Sequence, residues 1–484
     1  MNAVERRPRW PLVVAVVSTA TLPYVTVFAN NVGEELDEAN ILAWWATTLI
    51  GSLVVLAGVL RLPHRWRRWA TVVWIVLLFQ LFNLPGVIAL RDAIGWNASE
   101  LVAWFAITGA VLGLVSALAR FAGFQAFVFL VAPLLLLSPS IQWISGLLEG
   151  DGSAPNVTTP PPDDSDFVTR PSIWYVVLDG MASLDFVREH TGHDGSAFAE
   201  TLTDLGFTVS PDAESNYPIT ILSVGSNLDL EYVYDGLEEP RGASYFARLQ
   251  GENKTVDALL DGGWSYAHTF PGLWRGSRCS GREDFCYGGK GPLNDTEVVL
   301  ADLTPLGFLL DQDPDAEIAD LNDPAHVVRQ ILAADLPSPT YNFVHLLNPH
   351  PPYLRAADCS LREADMRLAA WGDGPEYGDA YACLEQQLLR AVDQILAEDP
   401  DPLIILQGDH GPRFGVVRGL PGGVTYAEDM FFSIFSAIRL PAACDHLEVP
   451  ADIDTVNTFR LVFACLRGQP FDRLEHIRYP IHRT

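Results

Sequence analysis

Five apolar runs, at roughly residues 10–29, 41–60, 70–90, 101–119 and 123–145, constrain the first third of this chain more than any other feature. Each is about long enough to cross the ~30 Å hydrocarbon core of a bilayer as a helix, and none has the one-sided polarity of a soluble amphipathic helix. Flanking charge sets their direction. Arg6, Arg7 and Arg9 precede the first run, Arg61, Arg65, Arg67 and Arg68 follow the second, and Arg120 follows the fourth, whereas Glu34, Glu35, Asp37 and Glu38 fill the first connection. Arg-rich segments stay on the cytoplasmic side, so the N-terminus is expected inside and everything after about residue 146 outside, which requires an odd number of spans. A cleaved signal peptide is the alternative for the first run, but no small-residue cleavage site follows it and four more runs do.

Charge is distributed very unevenly. Up to residue 150 there are 9 Arg, no Lys and 8 acidic residues, which leaves 22 basic and 52 acidic residues of the totals of 31 and 60 for the rest. A surface that acidic stays soluble and repels nucleic acid, so no nucleic-acid partner is expected. All six cysteines (Cys279, Cys286, Cys359, Cys383, Cys444 and Cys465) fall in the second half. An even count outside the spans fits an oxidising compartment, with sequence neighbours suggesting 279 with 286, 359 with 383 and 444 with 465, although six cysteines allow many connectivities. A zinc site is the weaker alternative, because no Cys-x-x-Cys pair occurs. Asn-x-Ser/Thr triplets at Asn97, Asn156, Asn253 and Asn294 lie on the side expected to be outside, compatible with glycosylation. Residues 150–170 are Pro-rich and acidic with no apolar period, as in a linker. The expected architecture is therefore an N-terminal bundle of about five transmembrane α-helices (1–146), a linker (147–170) and an α/β ectodomain (171–484).

Within that ectodomain, short apolar runs of strand character alternate with helical patterns, which predicts a sheet covered on both faces. Three runs end in polar residues: Ser172-Ile-Trp-Tyr-Val-Val-Leu178 before Asp179-Gly180, Tyr341-Asn-Phe-Val-His-Leu-Leu347 before Asn348-Pro-His350-Pro-Pro-Tyr353, and Leu403-Ile-Ile-Leu406 before Gln-Gly-Asp409-His410-Gly411. In an open α/β sheet the carboxyl ends share one edge, so Asp179, Asp409 and His410 can converge there. Carboxylates and a neutral imidazole suit one divalent cation such as Mn²⁺, Mg²⁺ or Zn²⁺. Each residue also has a bland reading, since Asp before Gly is a common turn and Asp-His-Gly can cap a helix. Asn216-Tyr217-Pro218-Ile219-Thr220 opens a predicted helix with Pro218 in or near its first turn. Thr220 then sits where amides and helix dipole favour an anion such as phosphate, and metal coordination would activate its hydroxyl. The bland reading is that Thr220 and Ser223 cap that helix. His345, inside its strand, reads as structural. Arg413 could hold a phosphate oxygen bidentately or be a surface charge.

The order of strand-Asp179-Gly180, Asn216-Tyr217-Pro218-x-Thr220, Pro349-His350-Pro-Pro-Tyr353 and Gly408-Asp409-His410-Gly411 resembles the alkaline phosphatase superfamily, in its membrane-anchored sulfatase-like branch of lipoteichoic acid synthase and phosphoethanolamine transferase type enzymes. The resemblance covers roughly 171–480, including the segment Asp454-Thr-Val-Asn-Thr-Phe-Arg460, and five preceding spans are usual in that branch. It implies that Asp179, Thr220, Asp409 and His410 bind one divalent cation, that Thr220 is the nucleophile, and that His350 contacts the substrate phosphate or protonates its leaving group. Two departures narrow it. No Cys-x-Pro-x-Arg or Ser-x-Pro-x-Arg occurs, so formylglycine chemistry is not expected, and no second Asp/His cluster suggests a two-zinc site. The expected activity is phospho-group transfer on lipid-linked or cell-envelope substrates by a multi-pass plasma-membrane protein with its catalytic domain outside the cytoplasm. A hydrolase or phosphodiesterase acting on surface polysaccharide is the enzymatic alternative, and a non-catalytic envelope glycan-binding or scaffold protein the alternative from another class.

Overall fold

The computed structural model describes residues 9–30, 38–96, 98–148, 167–240, 243–272, 275–288, 300–301, 303–305, 314–362, 371, 374–414, 424–426 and 428–483. It divides into two compact units, the first comprising residues 1–151 with 292–312 and the second residues 152–291 with 313–484.

The first unit is a bundle of helices α1 (Trp10–Asn30), α2 (Glu38–Val59), α3 (His64–Leu81), α4 (Leu84–Ala93), α5 (Glu100–Leu118), α6 (Ala122–Leu134) and α7 (Leu137–Leu148). Among the described residues, four helical stretches are long and apolar enough to cross a membrane, and five when one bent pair counts as a single span. That bent pair is the third apolar run, which turns by 75° between Leu81 and Leu84 rather than running straight. Pro85, lacking an N–H, lies in the first turn of α4 and disfavours a helical conformation at the residue before it. Helix α1 is the inner helix: half of its apolar window is buried, against about a fifth for α2, α5 and the α6–α7 stretch. Ala15, Val16, Val72, Ile75, Val115 and Ala119 make the bundle's core, while Val54, Phe105, Leu114, Phe127 and Leu130 are exposed. Outward-facing apolar side chains of this kind are stable only against lipid. Polar bonds pin the helices to one another, including Tyr24 Oη with Thr48 Oγ1 at 2.6 Å and Trp104 Nε1 donating to Gln80 O at 3.0 Å. Residues 300–301 and 303–305, far along the chain, belong to this unit. Leu300 is buried with Tyr24, Val27 and Ile41, and Leu84 N donates to Leu303 O at 3.1 Å.

The second unit is built on a seven-stranded sheet of order β2-β8-β6-β1-β5-β3-β4, where β1 is Ile173–Leu178, β2 Thr208–Val209, β3 Ser265–Thr269, β4 Phe285–Tyr287, β5 Thr340–Leu346, β6 Leu403–Gly408 and β8 Ser436–Arg439. A separate pair joins β7 (Val424–Tyr426) to β9 (Ile481–Arg483). The strands β6, β1, β5, β3 and β4 are parallel, and β8 and β2 are antiparallel additions at one edge. Alternation along β1 sends Ile173, Tyr175 and Val177 into one core and Trp174, Val176 and Leu178 into another. Both faces are therefore covered, which is why β1 and β6 are apolar at nearly every position. The expected architecture of membrane helices followed by an α/β domain is the one observed. Residues 167–170, at the end of the predicted linker, pack on this unit: Phe167 meets the Trp264 ring edge-on at 5.6 Å, and Val168 N donates to Leu466 O.

All three neighbour-paired disulfides form, 279–286, 359–383 and 444–465. Asn253 does not suit a glycan. It is buried, its Oδ1 caps the Lys254–Asp261 helix by accepting from Val256 N, and its Nδ2 donates to Arg248 O. Asn97, Asn156 and Asn294 lie outside the described residues.

Candidate metal centre

Strand register places the ligands. Leu178 of β1 sits opposite Gly408 of β6 and Leu346 of β5, so the chain leaves three adjacent parallel strands at one edge, and Asp179 and Asp409 are the residues that follow. Asp179, Asp409 and His410 are all buried, with one ligand-type atom from each lying within 4.8 Å of the others. His410 Nε2 is 3.5 Å from Asp179 Oδ1 and 3.6 Å from Asp409 Oδ2. One oxygen of Asp409 makes the turn, Oδ1 accepting from Gly180 N and His410 N at 2.9 Å each. Its other oxygen, Oδ2, and Asp179 Oδ1 are buried and have no hydrogen-bond partner among the described residues. Carboxylate oxygens left so are costly, and a divalent cation between them would satisfy both at once. His410 Nδ1 lies 2.8 Å from Gly411 O and so donates to it, which leaves Nε2 as a lone-pair acceptor that faces the carboxylates and is met by Arg413 Nη2 at 3.1 Å, the tautomer a metal ligand needs. Burial, and then the neighbouring Asp409 charge, push the Asp179 carboxyl well up, while burial and the Arg413 charge hold His410 well below its usual value. Two acids and a neutral imidazole thus fit one hard or borderline cation.

Thr220 is the first residue of the helix Thr220–Asp229, is buried, and follows an N-cap Ile219 that makes no side-chain cap bond. Pro218 precedes the cap rather than entering the first turn. Ser223 Oγ donates to Thr455 Oγ1 at 3.2 Å, so it does not cap that helix. Arg413 is buried, not a surface charge. Its Nη2 donates to Pro218 O at 3.0 Å and lies 3.1 Å from His410 Nε2, tying the loop before Thr220 to the acid cluster. His350 Nδ1 donates to Pro351 O at 2.6 Å, and burial with the Arg413 charge lowers its pKa to about 3. Its ring stands edge-on to Trp371 at 4.7 Å.

Several supporting residues were not foreseen. The Trp371 ring covers Gly180 so closely that a Cβ there would lie 2.3 Å from it, and Gly180 has φ +72°. Tyr377 Oη donates to Gly180 O and accepts from Ala182 N, both at 2.9 Å, and Tyr381, one helical turn on, bonds Ala182 O. His345 is buried within its strand beside the acid cluster. Its Nε2 is 3.9 Å from Asp179 Oδ2, its Nδ1 is 2.6 Å from Ser277 Oγ, and Ser277 O accepts from His268 Nε2, whose Nδ1 meets Tyr266 Oη. The Cys279, Glu283, Cys286 grouping is no metal site, because both sulfurs are spent in a disulfide.

No protein-family model matches the chain, and no curated protein matches it. Solved structures similar to it include the integral membrane lipooligosaccharide phosphoethanolamine transferase A (EptA) from Neisseria meningitidis, at 11% identity and TM-score 0.43 over 94% of this chain and 95% of that one. The C-terminal periplasmic domain of EptC from Escherichia coli in complex with Zn matches at 13% identity and TM-score 0.41, over 64% of this chain and 86% of that one. A protein in the alkaline phosphatase superfamily from Vibrio parahaemolyticus matches at 10% identity and TM-score 0.41, over 66% of this chain and 71% of that one.

Proposed function

We propose that this chain is an integral membrane phospho-group transferase that acts on envelope lipids or polymers from the extracytoplasmic face, with Thr220 as nucleophile and one divalent cation held by Asp179, Asp409, His410 and the Thr220 hydroxyl. The observation that carries the reading is the convergence of Asp179, Asp409 and His410, two of whose carboxylate oxygens are buried without partners, beside the loop that leads into Thr220. The motif order along the sequence supports it, and the basic inner connections and disulfide-bonded ectodomain support the orientation.

A bound cation would lower the pKa of the Thr220 hydroxyl and offset charge on a phosphate. Thr220 Oγ gives up its proton and forms a bond to phosphorus as the donor's phosphoester oxygen leaves and takes up a proton, giving phospho-Thr220; an acceptor hydroxyl then gives up its proton and attacks that phosphorus, and Thr220 Oγ departs and is reprotonated. His350, held neutral by burial and the Arg413 charge, contacts the substrate phosphate or relays a proton to its leaving oxygen. Arg413 and the amides at the start of the Thr220–Asp229 helix face the phosphate oxygens.

The test is metal content with turnover of a head-group-labelled phospholipid by the purified full-length protein. Wild type binds about one cation per chain and transfers the label, Asp409→Asn loses both, and Thr220→Ala loses transfer while its membrane bundle stays folded. Full turnover by Thr220→Ala would overturn the reading, and label released only to water would make the protein a phosphodiesterase.

A further inference from the structure

Residues 471–480 form neither helix nor strand, yet residues 476–479 are bonded to the segment that leads into Thr220. Asn216 Nδ2 donates to Ile477 O at 3.0 Å, and Tyr479 N donates to Asn216 O at 2.9 Å. The Tyr479 ring stacks on Tyr217 at 5.0 Å with 11° between the planes. Asn216 is fully buried and uses its other end as well, Oδ1 accepting from Thr455 Oγ1 and Val456 N. The backbone four residues ahead of Thr220 is thus fixed from two sides.

Charge braces the same contact. His476 Nδ1 lies 2.8 Å from Asp454 Oδ2, and its Nε2 lies 2.9 Å from Glu214 Oε2. An imidazole facing carboxylates through both nitrogens carries both protons, so the bridge is a cation between two anions. Arg478 bonds Glu214 too, and its Nη1 reaches Asp429 Oδ1 at 2.6 Å. Asp429 opens the short helix Asp429–Phe431, and Phe431 O accepts from Gly411 N at 2.9 Å, next to His410, while Phe432 O accepts from Ser215 N at 2.8 Å. The other groups around His476 are the Arg473–Asp452 pair and Tyr232, whose hydroxyl donates to Glu475 O.

We propose that segment 472–480 is a positioning strap, cross-braced by His476 and Arg478, that fixes the 216–220 loop relative to the turn carrying Asp409 and His410. This deepens the reading above and rests on it, since it takes Thr220 as the reacting hydroxyl. A nucleophile at a helix start and ligands on a strand end have to be held in register, and a misplacement of about 1 Å costs on the order of a hundredfold in rate. The brace has a working range: bonds from Asp454 and Glu214 raise the His476 pKa to about 9, so the imidazolium persists through neutral pH and is lost as pH rises through that value. His476 touches neither substrate nor cation and is a positioning residue, not a catalytic one.

The experiment uses the full-length protein in detergent with Mn²⁺ and bis(4-nitrophenyl) phosphate as the probe, alongside amide hydrogen exchange. His476→Gln is expected to lower kcat about tenfold with KM within about twofold. Wild-type kcat is expected to fall as pH rises through about 9, a fall that His476→Gln lacks. In the variant, amides 214–217 exchange faster while β1 and β6 exchange as in wild type; Glu214→Gln gives the same pattern. Wild-type kcat with wild-type exchange in His476→Gln overturns the strap, as does faster exchange throughout the sheet, which is general loosening. Probe turnover that survives Thr220→Ala removes the nucleophile reading instead, and exchange across 214–217 still decides whether the strap holds the loop.

Discussion

Gly411 has room for a hydrogen and nothing larger. A Cβ there would lie 1.8 Å from Met430 O, so Gly411→Ala must shift the backbone that holds Asp409 and His410 in place. A cost of about 2–4 kcal/mol is expected, read as a lower unfolding temperature together with weaker cation binding. Arg248 and Asp229 form a buried pair, Nε to Oδ2 at 2.5 Å, at the far end of the helix that Thr220 begins. Arg248→Met strands that carboxylate, and a loss of about 3–5 kcal/mol is expected in thermal unfolding, larger than for Arg188→Met, whose ion-pair partner Asp185 is exposed. At this scale Asp179, Asp409 and His410 were legible because each follows an apolar run whose strand character points to a sheet end. The Ser277–His345 contact was not, since its partners stand 68 positions apart and Ser277 lies in no patterned segment. Trp371 was equally invisible, because a tryptophan's role as a cover over Gly180 depends on φ at residue 180 and leaves no mark in spacing.

Elements follow the same division between local pattern and distant closure. The central strands announce themselves through burial on both faces, whereas β2, β7 and β9 are too short to show any period and exist through pairing alone. The break near Leu81 was written in Pro85 but masked by continuous hydropathy across 70–90. Cys444 and Cys465 tie the chain ahead of the Thr455–Arg467 helix to that helix's last turn. Replacing both by Ala is expected to cost about 2–4 kcal/mol, measured as the drop in unfolding temperature under non-reducing conditions. The ionic brace of the C-terminal strap gives stability a defined pH window. His476 titrates above its ordinary 6.5, at about 9, so its contribution is complete below pH 6.5 and lost as pH rises through 9. Burial works to raise the Glu214 carboxyl, but bonds from His476 and Arg478 outweigh it and hold it at about 2, so that contribution is present above pH 4.5 and lost as pH falls through 2. Unfolding temperature against pH should therefore fall at both ends, and His476→Gln should flatten the alkaline shoulder.

For the molecule as a whole, apolar helices and an acidic α/β domain divide the work, in the proposed function, between holding the chain in lipid and doing chemistry on phosphate. The division was readable from hydropathy and charge, because a bilayer and a water-exposed surface demand opposite compositions. The return of residues 300–301 and 303–305 to the helical unit was not, since the apolar stretch around Leu300 and Leu303 is too short to cross a bilayer and is broken in sequence by Asp302 and Pro305. The central claim is that Thr220 becomes covalently phosphorylated during turnover. Its most direct test is to mix full-length protein and Mn²⁺ with a phospholipid labelled in its head-group phosphate, quench in acid and map the label by peptide mass spectrometry. Label on Thr220 that is absent in Thr220→Ala and in Asp409→Asn is the predicted result; lipid consumed with no label on Thr220, or equal labelling of Thr220→Ala, would contradict the account.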